Sequence, residues 1–295
     1  DGSYFLTRYE DVVLAMRHSA MSSDKKIDFK PRFGDGPLYT HHTTSLVFND
    51  DPYHSRVRKL MAEAFTPRKM AELDPIIDKI VDGLLERLED QGEFDVLHDF
   101  ALALPTEIIA DMLGVPEEHR HKMHRYSTLI LGALEPIVSD EKMQAGHDAV
   151  DEFGALLEEL IAKRREQPTG AEMGEVLVSL IFGEVDGKGL SPVELVQNCI
   201  FLLNAGHETT ANLVANGIGI LLDFPDQMDR LRDEPSLIKT AVEEFLRYQS
   251  PLQVGNRKAM EGIEFGPEGG KVTLPAGAFI HICIGAANRD PEIFD

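Results

Sequence analysis

The stretch that decides the fold runs from Ser191 to Phe224 and reads SPVELVQNCIFLLNAGHETTANLVANGIGILLDF. It opens with the signature of a helix start, because Ser191 can act as N-cap, Pro192 occupies the first turn and Glu194 can reach back to the Ser191 amide. Pro225 follows directly and cannot continue a helix. At 1.5 Å per residue the segment is a rod of about 50 Å. Apolar residues on all its sides predict a buried central helix.

Polar residues interrupt the middle of this helix and argue against a membrane span. They are Asn204, His207, Glu208, Thr209, Thr210, Asn212 and Asn216. A carboxylate and hydroxyls inside a buried helix are costly unless something uses them. Gly206 costs about 1 kcal/mol relative to Ala, and a Thr hydroxyl that bonds back to the preceding turn opens a helix locally. We therefore expect a groove or kink beside the small Ala205–Gly206 surface, lined by Glu208 and Thr209.

Composition narrows the classes of function. The chain has 295 residues, is 43% hydrophobic and carries a formal net charge of −22, which argues against binding to nucleic acid or to anionic membranes. Two cysteines, Cys199 and Cys283, lie in apolar runs, so a disulfide framework is not expected and a reducing cytoplasm fits. No signal peptide or transmembrane run is apparent. The chain begins at Asp1 without Met and stops at Asp295, and we expect a fragment truncated at both ends.

The remaining pattern predicts a mainly α fold built as a single domain over residues 1–295. A large helical body spans about 51–249 around the central helix, and a small mixed or antiparallel sheet spans about 250–285. Residues 21–49 have no sustained periodicity and predict a long loop, and loops of this length often bind ligands. The pair His41-His42 in that loop either lines a pocket or belongs to an ordinary loop. The histidines at 119, 121 and 124 are interpreted as part of a solvated helix.

Ala205-Gly206-His207-Glu208-Thr209-Thr210 resembles the oxygen-activating segment of the cytochrome P450 family, the haem-thiolate monooxygenases. A second segment, Asp51-Pro52-Tyr53-His54-Ser55-Arg56-Val57-Arg58, is similar to the family pattern D-P-x-H-x-x-x-R. His54 and Arg58 share one helix face, and the resemblance makes them haem propionate ligands. Taken alone, this pair would more commonly be a solvated basic helix.

Two further segments follow in the family's order. The resemblance makes Glu244 and Arg247 the buried E-x-x-R ion pair that supports the haem pocket, although such i, i+3 pairs are common on surfaces. It makes Arg257 another propionate ligand; taken alone, Arg257 is equally well explained as an exposed strand cation.

The family's iron is held by a cysteine in an F-G-x-G-x-x-x-C loop. Phe33-Gly34-Asp35-Gly36 imitates the opening of that loop, but Thr40 occupies the cysteine position. Cys199 and Cys283 are better interpreted as core residues, so no metal ligand is assigned. Since the thiolate promotes O–O cleavage, this piece alone is expected to be inactive. His207-Glu208 begins like H-E-x-x-H, but Ala211 replaces the second zinc ligand.

The resemblance implies haem b and O₂, with insertion of one oxygen atom into a small apolar organic substrate. Thr209 would hydrogen-bond to the dioxygen and Glu208 would supply protons, while the regions around Leu202 and Val254 would shape the substrate pocket. Electrons would come from a ferredoxin and its reductase, docked on a basic patch of Arg56, Lys59, Arg68 and Lys69. The alternatives are a non-catalytic helical binding protein for an apolar ligand and an inactive truncated gene product.

Overall fold

A computed structural model describes residues 2–167 and 175–294 of the chain. The predicted fold class is confirmed, since helices dominate and the strands form small sheets. The α-helices are α1 Tyr9–Arg17, α2 Lys26–Phe33, α3 Pro37–Thr44, α4 Tyr53–Ala64, α5 Pro67–Gln91, α6 Ala103–Leu113, α7 Glu117–Arg120, α8 Met123–Gly132, α9 Asp140–Glu166, α10 Glu175–Phe182, α11 Pro192–Asp223, α12 Pro225–Asp233, α13 Ile238–Tyr248 and α14 Ile284–Ala287. The strands are β1 Tyr4–Leu6, β2 Met21–Ser22, β3 Val254–Ala259, β4 Ile263–Phe265, β5 Val272–Leu274 and β6 Phe279–Cys283.

The chain divides into two compact units. The helical unit comprises Lys25–Ala211, and its core joins side chains from α3, α4, α6, α8, α9, α10 and the first half of α11. Fully buried members of that core include Leu38, Leu113, Met123, Ile130, Phe153, Leu157, Leu177 and Ile200. Burying a side chain of this size stabilises the fold by about 1.5–3 kcal/mol, so α11 is anchored through its first half.

The second unit comprises Asp1–Asp24 and Asn212–Asp295. Its four-stranded sheet has the order β1-β6-β3-β2, with β1 parallel to β6 and the other pairs antiparallel. Strands β4 and β5 form a separate antiparallel pair. The run Tyr4-Phe5-Leu6-Thr7 predicts the N-terminal strand β1, whereas β2 and β4 have no such signal because two- or three-residue strands show no alternation.

The central helix begins as predicted. The Ser191 amide donates to Glu194 Oε2 at 2.8 Å, and the Glu194 amide donates to Ser191 Oγ at 3.3 Å. The prediction of burial on all sides is wrong for the second half. Continuous burial ends at Ile200, and Ala205 is exposed. The expected back-bond is present, because Thr209 Oγ1 donates to the Ala205 carbonyl at 2.6 Å, but α11 runs on without a break.

Residues 21–49 are not the long loop that the sequence predicted. They contain β2, α2, α3 and a 3₁₀ turn at Leu46–Phe48. The helical pattern was hidden by Pro31 inside α2 and by the polar run at the end of α3. Pro37 occupies the first turn of α3, where proline is tolerated. The helical segment before residue 51 therefore extends the predicted helical body toward the N-terminus. The segment Gln167-Pro168-Thr169-Gly170 predicts a linker between helices. All of it except Gln167 lies outside the described residues.

Candidate functional site

Four stripes of side chains run along the middle of α11, because residues four apart lie on the same side of a helix. One stripe carries Phe201, Ala205 and Thr209. The next carries Leu202, Gly206 and Thr210, a third carries Leu203 and His207, and the last carries Gln197, Asn204 and Glu208. The motif that the sequence singled out is therefore spread around the helix, and each stripe meets different surroundings.

The Gly206 stripe borders an apolar cavity of about 320 Å³. Its walls are Phe65, Pro105, Ile108, Ile109, Met112, Leu113, Leu202, Ala205, Gly206 and Thr210. A Cβ placed on Gly206 would lie 2.9 Å from Ile109 Cδ1, so α6 already fills the notch at Gly206. The expected groove exists, but Glu208 and Thr209 do not line it. The prediction of an acid–alcohol lining is wrong because both residues lie on other stripes of the helix.

The Ala205 stripe is the open side of the helix. Ala205 is exposed, whereas Phe201 and Thr209 are half-buried. The Ala205 methyl group thus lies between the Phe201 ring and the β-branched Thr209 side chain. Because Ala205 is small, a flat ligand has room to lie against the helix backbone at this position. The Thr209 hydroxyl donates its hydrogen bond to the Ala205 carbonyl. The lone pairs of the hydroxyl oxygen therefore remain free to accept hydrogen bonds from other groups.

Glu208 is half-buried on the stripe that faces α3. Burial raises the pKa of its carboxyl, and the nearby Glu135 carboxylate raises it further. Both effects disfavour the charged form. A pKa shifted in this direction favours the protonated carboxyl, which is the form that can donate a proton.

His207 is fully buried, and its Nε2 lies 3.1 Å from Nδ1 of His124 on α8. Burial lowers the pKa of His207 to about 4, so the ring is neutral at pH 7. His124 is exposed, as the solvated-helix interpretation predicts, and its ring also contacts His207 of the central helix. Among the described residues, no group of three potential ligands is arranged to hold a metal ion.

Helix α4 lies alongside the first half of α11. Arg56 pairs with Glu194 near the start of α11, and Phe65, directly after α4, shares the cavity with Leu202. His54, Arg58, Met61 and Phe65 form one stripe of α4, at i, i+4, i+7 and i+11. The two basic residues thus stand on the stripe that ends beside Ala205.

The His54 ring is half-buried and lies 3.8 Å from Asp51 Oδ1, while Arg58 is exposed. Neither residue lines the cavity itself. Their cationic and hydrogen-bonding heads are available for an acidic ligand group, and Arg suits a carboxylate in a forked geometry.

The predicted basic patch is partly neutralised. The Arg56 guanidinium pairs with the Glu194 carboxylate, and Lys69 Nζ donates to the Glu63 carbonyl at 2.9 Å and to Ser179 Oγ at 2.7 Å. Arg68 lies 3.4 Å from Glu72. These contacts weaken the positive field of the patch, and within the four-residue set only Lys59 lacks such an acidic or polar partner in the described part of the chain.

Glu244 and Arg247 form a two-pronged ion pair within the second unit. Arg247 Nε lies 2.7 Å from Glu244 Oε2, and Arg247 Nη2 lies 2.6 Å from Glu244 Oε1. Arg247 also donates to the Asn288 carbonyl at 2.9 Å and stands over the Phe294 ring. The pair is not buried as the resemblance implied, because the Glu244 side chain is 56% exposed.

Arg257 and Val254 both lie on β3 in the second unit. Arg257 pairs in register with Ile280, is half-buried, and donates to the Asn256 carbonyl at 2.8 Å. Val254 pairs with Cys283 and is 46% exposed. Leu202, the other predicted pocket residue, lines the apolar cavity of the helical unit.

The cysteines behave as core residues. Cys199 is fully buried in α11, where burial raises the pKa of its thiol to about 12. Cys283 is half-buried at the end of β6, and neither cysteine is in a disulfide. No helix in the described part of the chain combines the length and apolarity that a membrane crossing requires.

These observations test whether the residues suit haem. A flat macrocycle needs a small apolar surface that it can approach closely, and the exposed Ala205 between Phe201 and Thr209 provides one. Its propionates need cationic donors, and the α4 stripe carries His54 and Arg58. The donor chemistry therefore fits. The sequence left the place of His41 open, and its ring contacts Gln197 and Asn204; the spacing of seven between these two amides was the available signal.

Comparison with known proteins identifies the family of the chain. The family Cytochrome P450 matches residues 4–295. Cytochrome P450 107B1 of Saccharopolyspora erythraea is 36% identical over 304 residues, covering 99% of this chain and 71% of that protein. Vitamin D(3) 25-hydroxylase of Pseudonocardia autotrophica is 36% identical over 290 residues, covering 98% of this chain and 68% of that protein.

A crystal structure of P450BioI in complex with hexadec-9Z-enoic acid ligated acyl carrier protein superposes with a TM-score of 0.89 at 32% identity, covering 99% of this chain and 73% of that one. These relatives include named hydroxylases, so the alternative of a non-catalytic binding protein receives no support. The chain belongs to the cytochrome P450 family of haem monooxygenases, which insert one oxygen atom from O₂ into an organic substrate with electrons from a redox partner.

Proposed function

We propose that the Ala205 stripe of α11 is the surface against which haem b binds, with Ala205 supplying the close approach, while Gly206, which packs on Ile109, is kept as a haem neighbour on the resemblance alone. The observation that carries this proposal is the exposure of Ala205 in the middle of an otherwise anchored helix. His54 and Arg58 bind the propionates from α4, and Arg257 is assigned the same role on the resemblance alone. Bound haem supplies the iron chemistry that activates dioxygen.

Thr209 and Glu208 are the residues that we propose for proton delivery. Thr209 accepts a hydrogen bond at the oxygen-binding side of the Ala205 stripe while its proton is donated to the Ala205 carbonyl, and it donates to dioxygen only when its hydroxyl turns away from that carbonyl. Glu208 is the proton donor toward Thr209, and burial and Glu135 both raise the pKa of its carboxyl, which favours the protonated form. Glu244 and Arg247 stabilise the second unit rather than touch the substrate.

Neither cysteine of residues 1–295 is proposed as the iron ligand. A thiolate ligand needs an environment that lowers the thiol pKa, and burial does the opposite to Cys199. Cys283 ends a strand without the glycine-rich loop that would present it. The residues 33–40, which imitate that loop, are helical at both ends, with α2 before Gly34 and α3 after Gly36.

The substrate class that we propose is a small apolar organic molecule, because Leu202 and the walls beside it are apolar. Val254 is kept as a second pocket residue on the resemblance alone. The electron donors are a ferredoxin and its reductase, and within the predicted basic patch the exposed Lys59 of α4 is the cation offered to an acidic partner. The unpaired cysteines fit a cytoplasmic protein.

The decisive test is Thr209→Ala in the holoenzyme, with Thr210→Ala as matched control. Thr210 is the next residue but lies on the cavity stripe. Thr209→Ala should uncouple product formation from electron consumption, so that reduced oxygen species accumulate, whereas Thr210→Ala should keep the two coupled. Full coupling in Thr209→Ala would refute the role of Thr209.

A further inference from the structure

The stripe of α11 that faces α3 carries two amides and one carboxyl. Gln197, Asn204 and Glu208 stand at i, i+7 and i+11, and these positions fall on one side of a helix with 3.6 residues per turn. Gln197 is 9% exposed and Asn204 is 6% exposed, while Glu208 is half-buried. A row of polar groups thus leads along the buried side of the helix to the proposed proton donor.

His41 of α3 holds both amides. Its Nδ1 lies 3.1 Å from Gln197 Oε1, and Asn204 Nδ2 lies 3.1 Å from its Nε2. One neutral tautomer satisfies both contacts, since Nδ1–H donates to Gln197 and the bare Nε2 accepts from Asn204. Complete burial lowers the pKa of His41 to about 4, so the ring is neutral at pH 7.

This arrangement fixes which way the Asn204 amide faces. Because Nδ2 is bound to His41, Oδ1 points elsewhere, and Oδ1 is buried without a hydrogen-bond partner among the described residues. A buried acceptor left unpaired costs about 1–3 kcal/mol. An atom of this kind is therefore expected to meet a donor in the working protein.

Glu208 provides a donor at the right place. It lies one turn beyond Asn204, and residues at i, i+4 have Cβ atoms about 5–6 Å apart. Only the protonated carboxyl can donate. The charged group that acts on Glu208 is Glu135, whose carboxylate forms an ion pair with Lys142 at 3.6 Å and whose backbone carbonyl accepts from Arg32. The histidines of the neighbouring stripe, His207 and His124, have lowered pKa values through burial.

We propose that His41 is a positioning residue for proton supply: it holds the Asn204 amide so that Asn204 Oδ1 accepts a hydrogen bond from the protonated carboxyl of Glu208. The inference rests on the proposed function of Glu208 and adds a residue of α3 to it. When Glu208 gives up its proton, its O–H bond breaks and the bond to Asn204 is lost. A proton from solvent then restores both, and no electron moves.

The test follows the protonation of Glu208 directly, by infrared spectroscopy of its carboxyl C=O stretch over a pH series, with Glu208→Gln as the blank. Asn204→Ala removes an acceptor that stabilises only the neutral acid. The titration midpoint should fall by about half to one pH unit, which corresponds to one ordinary hydrogen bond. Asn198→Ala is the matched control, because Asn198 is equally buried in α11 but bonds to Leu46 and Glu194; it should leave the midpoint unchanged.

Two variants of His41 complete the experiment. His41→Phe frees the Asn204 amide to turn its NH₂ toward the carboxylate, so the midpoint should fall. His41→Gln keeps an acceptor for Asn204 and should hold the midpoint near the wild-type value. An unchanged titration midpoint in Asn204→Ala would overturn the proposal, and so would an equal shift in Asn198→Ala. If His41→Phe fails to fold, the result for Asn204→Ala is sufficient to test the proposal. Because the measurement needs no turnover, it is independent of the Thr209→Ala coupling test, which addresses the proposed function itself.

Discussion

Ile109 of α6 packs directly on Gly206 of α11, so that a methyl group added to Gly206 would approach Ile109 Cδ1 to 2.9 Å. The glycine therefore serves the approach of two helices within the helical unit. The open surface of α11 lies one residue away, at Ala205.

Gly206→Ala should change stability little, because two effects oppose each other. Ala favours a helix interior by about 1 kcal/mol over Gly, while the clash with Ile109 costs about 1 kcal/mol when the flexible Cδ1 moves aside. Combining Gly206→Ala with Ile109→Val should release the clash. The control Gly219→Ala, with no atom within 4 Å of its Cβ, should stabilise by up to about 1 kcal/mol. Urea unfolding measures all of these, and equal gains for Gly206→Ala and Gly219→Ala would contradict the contact.

The neutral buried histidines predict a loss of stability in mild acid. In the folded state burial lowers the pKa of both His41 and His207 to about 4, below the ordinary 6.5. The unfolded chain therefore binds more protons once the pH falls below 6.5. The contribution of each histidine is complete above pH 6.5 and is lost as the pH falls from 6.5 to 4, by up to about 1.4 kcal/mol per pH unit.

His207→Gln tests this directly by comparing unfolding free energies at pH 7.5 and pH 5. The variant should show a smaller difference between the two pH values than the wild type. His121→Gln, at an exposed position on the segment before α8, should keep the wild-type difference. An identical pH dependence in all three proteins would show that His207 charges freely in the folded state.

Replacing Arg247 should destabilise the fold more than replacing its partner Glu244. Arg247 binds Glu244, the Asn288 carbonyl and the Phe294 ring, whereas Glu244 is largely exposed. Arg247→Ala should therefore cost about 1.5–3 kcal/mol of unfolding free energy, and Glu244→Ala less than about 1 kcal/mol. Thermal unfolding of both variants checks the order, and a larger cost for Glu244→Ala would show that the carboxylate, not the guanidinium, anchors this region.

The two cysteines should differ in reactivity toward a thiol reagent. Cys199 is fully buried and the pKa of its thiol is raised to about 12, so it should react only when the protein unfolds. Cys283 is half-buried and should be labelled first. Peptide mapping after brief labelling of the native protein identifies the site. Labelling of Cys199 in the native state would mean that α11 opens locally.

Features that depend on local sequence could be predicted, whereas features that depend on contacts between distant segments could not. The ends of α11 were predictable because Ser191, Glu194 and Pro225 act locally. The predicted helical body and sheet were found because their periodicities are strong. The faces of α11 were not predictable, since which neighbour covers Gly206, His207 or Asn204 depends on α6, α8 and α3, far away in the chain.

The same distinction explains the error at residues 21–49. Short helices with an internal Pro31 and several polar residues have weak local signals. They are held by tertiary contacts instead, such as His41 between Gln197 and Asn204. A neutral buried histidine and an exposed loop histidine look alike in a sequence, so the role of His41 emerged only from the packed structure.

The central claim is that the Ala205 stripe is the surface that binds haem, and haem content measures it most directly. Ala205→Trp places a large ring on that exposed position, and Ala162→Trp places the same ring on an exposed position of α9. The ratio of Soret to protein absorbance in the purified holoprotein should fall severalfold in Ala205→Trp and stay at the wild-type value in Ala162→Trp, with far-ultraviolet circular dichroism unchanged in both. Wild-type haem content in Ala205→Trp would contradict the account.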